Sequence, residues 1–324
     1  MVIEKMKTGK FLPGFFFLLK EFTVRLYKLL LIFRCPSYFF ISFFLIFNPA
    51  LANKSPSSTS VFDWTVAEAL LALDPGPVLM GNVSGFHTWT GNSYTDADIT
   101  SVGSQIFPNM ELLSSIGSHR ILLAPRQTRM GVMLADIAPF SIIHNFPFAN
   151  DIDDDLWARF DSFVLEVGAL VGRRHKAEKL VANTQVHLRS LQSALEPQPP
   201  LLIIQLMNEQ YMRVYGENSL FQGVLKRLGL SNAWTQQTNQ WGYSLISIRE
   251  LFNVEDARLV IIESGNPTGI EHNIENSGMW RYLPSVQRGD FVVLPSSFWI
   301  GGVHPSARRF ADALVEALEE PTTP

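Results

Sequence analysis

A single cysteine occurs in the 324 residues, at position 35. One thiol cannot build an internal disulfide framework, and Cys35 precedes the apolar run that a lipidation cysteine would follow. Charged residues make up only 17% of the chain. Neither a G-x-S-x-G elbow nor a glycine-rich phosphate loop is present, so no local hydrolase or nucleotide-binding signature points to catalysis. The seven histidines, His87, His119, His144, His175, His187, His272 and His304, include no H-x-H or H-x₃-H pair. The spacing expected of a directly bound zinc or manganese ion is therefore missing.

Basic residues are also scarce once the first 52 positions are set apart. That segment carries 7 of the 26 basic residues and 2 of the 30 acidic ones, leaving 19 against 28, a net −9. Such an acidic body argues against nucleic acid as a partner, because phosphate binding needs clustered Lys and Arg. Within the segment, Lys5 to Arg34 supply a basic stretch ahead of "YFFISFFLIFNPALA", and Ala50 with Ala52 completes an A-x-A pattern. Residues 1–52 are read as an export signal cleaved after Ala52. An uncleaved anchor is the alternative, since Pro36 to Ala52 falls only a little short of the roughly 20 residues a membrane span needs.

What is present is a 47% hydrophobic chain with apolar runs in a repeating order. After the linker "NKSPSSTS" (53–60), the stretch "VFDWTVAEALLALDPGPVLMGN" reads as strand, helix, strand, and the alternation continues to about residue 150. "DIDDDLWARFDSFVLEVGALVGRRHK" then lacks proline and opens on acids that complement a helix N-terminus. It predicts a long helix from Ile152 that breaks near Gly172. A second α/β block follows, from "PPLLIIQLMN" through "RLVIIES" and "DFVVLP" to "PSARRFADALVEALEE". The predicted architecture is α/β, with a first lobe over 61–150, a linker helix over 151–173 and a second lobe over 174–320. Two lobes on one rigid element leave a cleft, a favoured place for a ligand.

The ordered motifs "DWTVAEALLAL", "PNMELL", "VYGENSLFQGVLKRLGLSNAW", "TNQWG" and "MWRYLPSVQRGDF" carry a family resemblance over residues 61 to about 318. The chain resembles the periplasmic siderophore-binding proteins of ABC importers, and within them the ferrichrome (hydroxamate) branch. The resemblance implies two Rossmann-like lobes joined by a single long helix, no catalysis and no resident cofactor or metal. It also implies delivery of a ferric siderophore to an inner-membrane permease with its ATPase, by a monomer. Another ferric chelate of catecholate or citrate type, haem or cobalamin remains the alternative cargo.

A ferric hydroxamate presents oxygens around iron inside a shell of alkyl and peptide surface, so its receptor needs aromatic walls with a few polar contacts. The resemblance places Trp89, Trp234, Trp241, Tyr243, Phe298 and Trp299 on those walls, with Asn239 as a polar contact. Trp64, Trp157 and Trp280 are assigned to the core. The branch contacts hydroxamate oxygens through an arginine after "VG" and a tyrosine after the third strand. The matching positions here are Gln105 and Gln127, and glutamine lacks the charged fork that grips an anionic oxygen cluster. In "APRQTRMG", Arg126 or Arg129 is available to replace the missing cation, as a carboxylate-bearing ligand would require. Permease docking in the family uses one acid per lobe; Glu111 matches the first, and Glu250 stands one residue after the second.

Overall fold

The computed structural model describes residues 58–147, 155–254, 256–263, 269, 271 and 273–319. The expected export signal, its cleavage point, Cys35 and the predicted helix start at Ile152 lie outside these residues.

The first sheet is parallel throughout. Its strands are β1 (Thr59–Val61), β2 (Val78–Met80), β3 (Ile99–Ser101), β4 (Arg120–Leu123) and β5 (Phe140–Ile142), in the order β3-β2-β1-β4-β5. Its central strands are short and largely buried, β2 as Val-Leu-Met and β4 as Arg-Ile-Leu-Leu, while β1 is Thr-Ser-Val. The helices are α1 (Trp64–Leu71), α2 (Val83–Trp89), α3 (Met110–Ile116) and α4 (Thr128–Leu134). Asp63 starts α1 by accepting the backbone N–H groups of Thr65 at 2.8 Å and Val66 at 3.1 Å.

Next comes the helix α5 (Leu156–Leu170), and after a turn α6 (Arg174–Ala194). Gly172 takes φ +68° between them, a left-handed conformation that glycine adopts without penalty. The predicted break thus falls where expected, while α5 spans less than 151–173. Trp157, Phe160, Phe163, Val164 and Val167 form its buried stripe, at the spacing of a helix face turned to a core. At Gly168 an added Cβ would meet the Ala177 side chain at 2.5 Å, so α6 doubles back closely enough that only glycine fits.

The second sheet contains β6 (Leu201–Leu206), β7 (Tyr211–Tyr215), β8 (Tyr243–Ser247), β9 (Arg258–Ile262) and β10 (Phe291–Leu294), in the order β10-β9-β6-β7-β8. Strands β6, β9 and β10 are parallel, and β7 runs antiparallel to both β6 and β8. Its helices are α7 (Leu220–Leu228), α8 (Ile248–Leu251), α9 (Pro284–Gln287) and the C-terminal α10 (His304–Glu319). All six residues of β6 are buried, which explains why five of them are Leu or Ile, with Gln205 the one polar residue.

One large core spans both lobes. It joins Val61, Met80 and Leu122 of the first sheet to the α5 stripe and to Ile203, Val260, Phe221 and Phe310 of the second lobe. Smaller clusters cover the outer faces of the two sheets. The lobes are also pinned by polar groups. Glu68 of α1, fully buried, pairs with Arg309 of α10 and accepts Ser306 Oγ at 2.8 Å. Thr65 Oγ1 donates to the carbonyl of Gly301 at 2.7 Å. Breaking a buried pair of this kind costs about 3–5 kcal/mol, because the remaining charge is left uncompensated.

Candidate functional site

The turn after β1 organises the site. Asp63, Trp64 and Thr65 follow that strand in sequence, at the C-terminal edge of the parallel sheet where α/β folds commonly hold ligands. Asp63, 1% exposed, takes the guanidinium of Arg126 at 2.5 Å from the 3₁₀ turn Pro125–Gln127 that follows β4. Burial pushes the Asp63 carboxyl above its ordinary range, partly opposed by the charge of Arg126 and by its hydrogen bonds to the α1 backbone. Arg126 is 47% exposed, and its other contact is across the cleft, with its guanidinium 5.4 Å from the ring of Trp241. A cation held between a buried acid and an aromatic face is oriented before any ligand arrives.

Arg126, Gln105, Gln127 and Arg129 share the lining of a pocket of 620 Å³. Gln127 is 9% exposed, and its Oε1 accepts the backbone N–H of Ala124 at 3.1 Å, closing the turn. Its amide nitrogen is the group left for a ligand. Gln105 reaches the pocket because Gly81 lets its loop lie against the end of β2. A Cβ at Gly81 would meet the carbonyl of Ser104 at 2.8 Å and Cα of Gln105 at 2.9 Å.

Two of the expected tryptophans meet from opposite lobes. Trp89 of α2 and Trp299 of the loop after β10 pack edge to face at 5.7 Å, both partly exposed. Trp299 also lies edge-on to Trp64 at 5.1 Å and donates its indole N–H to Thr65 Oγ1 at 3.2 Å. Trp64, Trp157 and Trp280 are buried, as assigned.

Trp241 stands on a tightly determined turn. Asn239 Oδ1 accepts the backbone N–H groups of Trp241 at 2.9 Å and Tyr243 at 3.3 Å. Gly242 adopts φ +74°, and a Cβ there would lie 2.3 Å from the backbone nitrogen of Ser219. Asn239 is exposed, and only its side-chain oxygen is taken up by these two bonds. Its acceptor is engaged in the turn, so its first effect is to place Trp241. Tyr243 is partly exposed, with the Arg213 guanidinium 5.1 Å from its ring. Arg213 Nη1 and the Tyr215 hydroxyl both donate to Gln205 Oε1 at 3.0 Å.

Two wall assignments are corrected. Phe298 is 1% exposed, locked edge to face with Phe221 at 6.0 Å and Phe310 at 5.3 Å, so it belongs to the interlobe core. Trp234 is 7% exposed and packs in the cluster on the outer face of the second sheet. Glu111 is exposed in the first turn of α3. Glu250 is also exposed, but its Oε2 accepts the backbone N–H of Ser247 at 2.7 Å in the capping box that starts α8.

Sequence reasoning missed Asp63, Arg213 and the apolar lining made by Ile106, Phe107, Met130 and Met133. The available signals were a charged residue inside the strand "YMRVY" and two large apolar residues in the loop "GSQIFPN". Among the described residues, no group of three His, Cys, Asp or Glu side chains converges as a metal site, and no helix is long and apolar enough to cross a membrane.

Comparison with known proteins agrees with this architecture. The iron(3+)-hydroxamate-binding protein FhuD of Escherichia coli is 27% identical over 269 residues, covering 82% of this chain and 88% of that protein. The Fe³⁺-Desferal-bound siderophore-binding protein FhuD from Vibrio cholerae superposes with a TM-score of 0.73 at 25% identity, over 83% of this chain and all of that one. The triscatecholate siderophore-binding protein FeuA from Bacillus subtilis, complexed with ferri-bacillibactin, shares the fold with a TM-score of 0.61 at 17% identity, over 82% and 93% of the two chains. The family model described as periplasmic binding protein matches residues 60–298, and the chain belongs to that family of binding proteins.

Proposed function

We propose that this protein captures a ferric siderophore of hydroxamate type between its lobes and delivers it to an inner-membrane ABC permease for iron uptake. The observation that carries this reading is Arg126, held by buried Asp63 and faced by Trp241 from the other lobe. It supplies a charged donor where the branch's arginine and tyrosine are replaced by Gln105 and Gln127. Trp89, Trp299, Trp241 and Tyr243 supply aromatic area, and the two glutamine amides supply neutral donors. The likeness to two hydroxamate-binding FhuD proteins supports the ligand class.

A fixed cation on that wall also favours a chelate that carries a carboxylate, such as a mixed hydroxamate-citrate ligand, because the guanidinium fork matches carboxylate geometry. The rest of the proposal follows the family's logic. The chain is exported, the segment 1–52 is removed after Ala52, and the mature protein acts as a monomer in the periplasm. Residues 61–150 and 174–320 are the lobes and 151–173 the linker. Glu111 and Glu250 pair with permease arginines, and an ATPase drives import.

A tryptophan-quenching titration of the mature chain against ferric hydroxamate, hydroxamate-citrate, catecholate, haem and cobalamin ligands tests the reading. Saturable quenching by the hydroxamate ligands at the lowest concentrations is expected. Preferred binding of haem, cobalamin or a catecholate would replace the assignment.

A further inference from the structure

The pocket beside Arg126 contains more apolar surface than an iron-oxygen core needs. Phe107 is 82% exposed, Ile106 72% and Met133 67%, and all three line the same 620 Å³ space together with Met130. Pockets of about 300–1,000 Å³ suit small organic ligands, so this space is large enough to take a substantial part of one. Large apolar side chains left in water around a concave surface mark a surface that something covers.

Their exposure is built into the loop. Ser104 Oγ accepts the backbone N–H of Phe107 at 2.8 Å, and Gly103 and Pro108 form a bridge that closes the loop. Gly81 lets the loop seat against β2, with Cα of Gln105 2.9 Å from where a Cβ would stand. These contacts within the loop and against β2 fix the pocket wall, which reduces the entropy cost of filling it.

Charge decides what kind of ligand fits. Arg126 and Arg129 sit on the pocket lining, and Arg126 also faces Trp241 across the cleft. An occupant must then join an anionic, oxygen-rich centre to a hydrocarbon part within one molecule. We infer that the pocket is a subsite for an alkyl or acyl arm of the ferric chelate, whose iron centre is held beside the Arg126 and Trp241 pair. This rests on the siderophore reading above and narrows it to amphiphilic chelates.

Methylene groups buried against Phe107, Ile106 and Met133 each add to affinity, so arm length is the variable to test. The probes are two ferric desferrioxamine B derivatives with the same iron centre, one N-acetylated and one N-octanoylated at the terminal amine. Each is titrated by tryptophan quenching against the wild-type chain and against Phe107→Ser/Met133→Ser, with folding of the variant checked by circular dichroism. The readout is the ratio of the two affinities. The octanoyl probe should bind the wild type at least tenfold more tightly than the acetyl probe, and the double variant should bring that ratio close to one. A wild-type ratio near one with both probes bound, or a ratio that survives in the variant, overturns the subsite alone. If neither probe binds, the hydroxamate reading falls, and this inference falls with it.

Discussion

The two walls of the cleft are built in opposite ways. On the second lobe, an aromatic residue is placed by backbone geometry: Asn239 and Gly242 hold the turn that carries Trp241. On the first lobe, a charge is placed by another charge, as buried Asp63 orients half-exposed Arg126. The first wall also has a pocket lined by exposed apolar side chains, whereas Trp234 and Phe298 of the second lobe have withdrawn into core clusters. A rigid aromatic face opposite an electrostatically set cation lets one site combine shape selection with charge selection. The two devices fail differently when altered.

The largest effect should come from the backbone device. Gly242→Ala places a Cβ in a left-handed residue against the Ser219 backbone nitrogen, where no side chain can yield. A loss of about 2–4 kcal/mol in stability is expected, from positive-φ strain and a clash with fixed backbone. A urea midpoint equal to that of the wild type would show that the turn relaxes and that the second wall is softer than its geometry implies.

Next comes the charge. Arg126→Ala should weaken ferric-siderophore binding by about 2 kcal/mol, roughly thirtyfold, the scale of a charge-assisted contact. Arg173→Ala, exposed at the turn between α5 and α6, should leave binding unchanged. Equal affinities for the two variants in a quenching titration would mean that the cation on the first wall does not meet the ligand.

Asn239→Ala should have a smaller effect. It removes the acceptor for two backbone N–H groups, so Trp241 loses its fixed position and affinity should fall about tenfold, near 1.4 kcal/mol. Asn239→Asp keeps an acceptor at the same place and should restore most of that loss. If Asp fails where Asn works, the amide nitrogen of Asn239 meets the ligand directly.

The contrast between the walls also explains which features were legible in the sequence. The α/β alternation could be read because β2, β4 and β6 are rich in apolar residues and are bounded by helix caps and turns, and the break at Gly172 because glycine there relieves a left-handed turn. Arg126 was legible as a cation next to a position that had lost its usual residue. The fates of the loop aromatics were not. Trp234 and Trp241 share one stretch of sequence, yet one is buried and one faces the cleft, a difference set by which residues of distant elements approach. Phe298 is taken into the core by Phe221 and Phe310, neither adjacent in sequence. Asn239 lay within reach of a closer reading, since an asparagine ahead of a glycine commonly bonds its own backbone.

The smallest expected effect concerns Asp63 and follows from its sign. Burial raises its folded pKa above the ordinary value of 3.8, so its contribution to stability is fully present below 3.8 and is lost as the pH rises through the raised value. Asp63→Asn keeps an oxygen to cap α1 but does not titrate. The variant should therefore gain on the wild type as the pH climbs from below 3.8 toward neutrality, measured as the difference in urea midpoint across that range. A difference that stays constant with pH would mean that the ion pair with Arg126 fully offsets the burial of the acid. The expected rise, accompanied by weaker siderophore binding at neutral pH, would show that the first wall retains a destabilising buried acid because it aims Arg126 at the cleft.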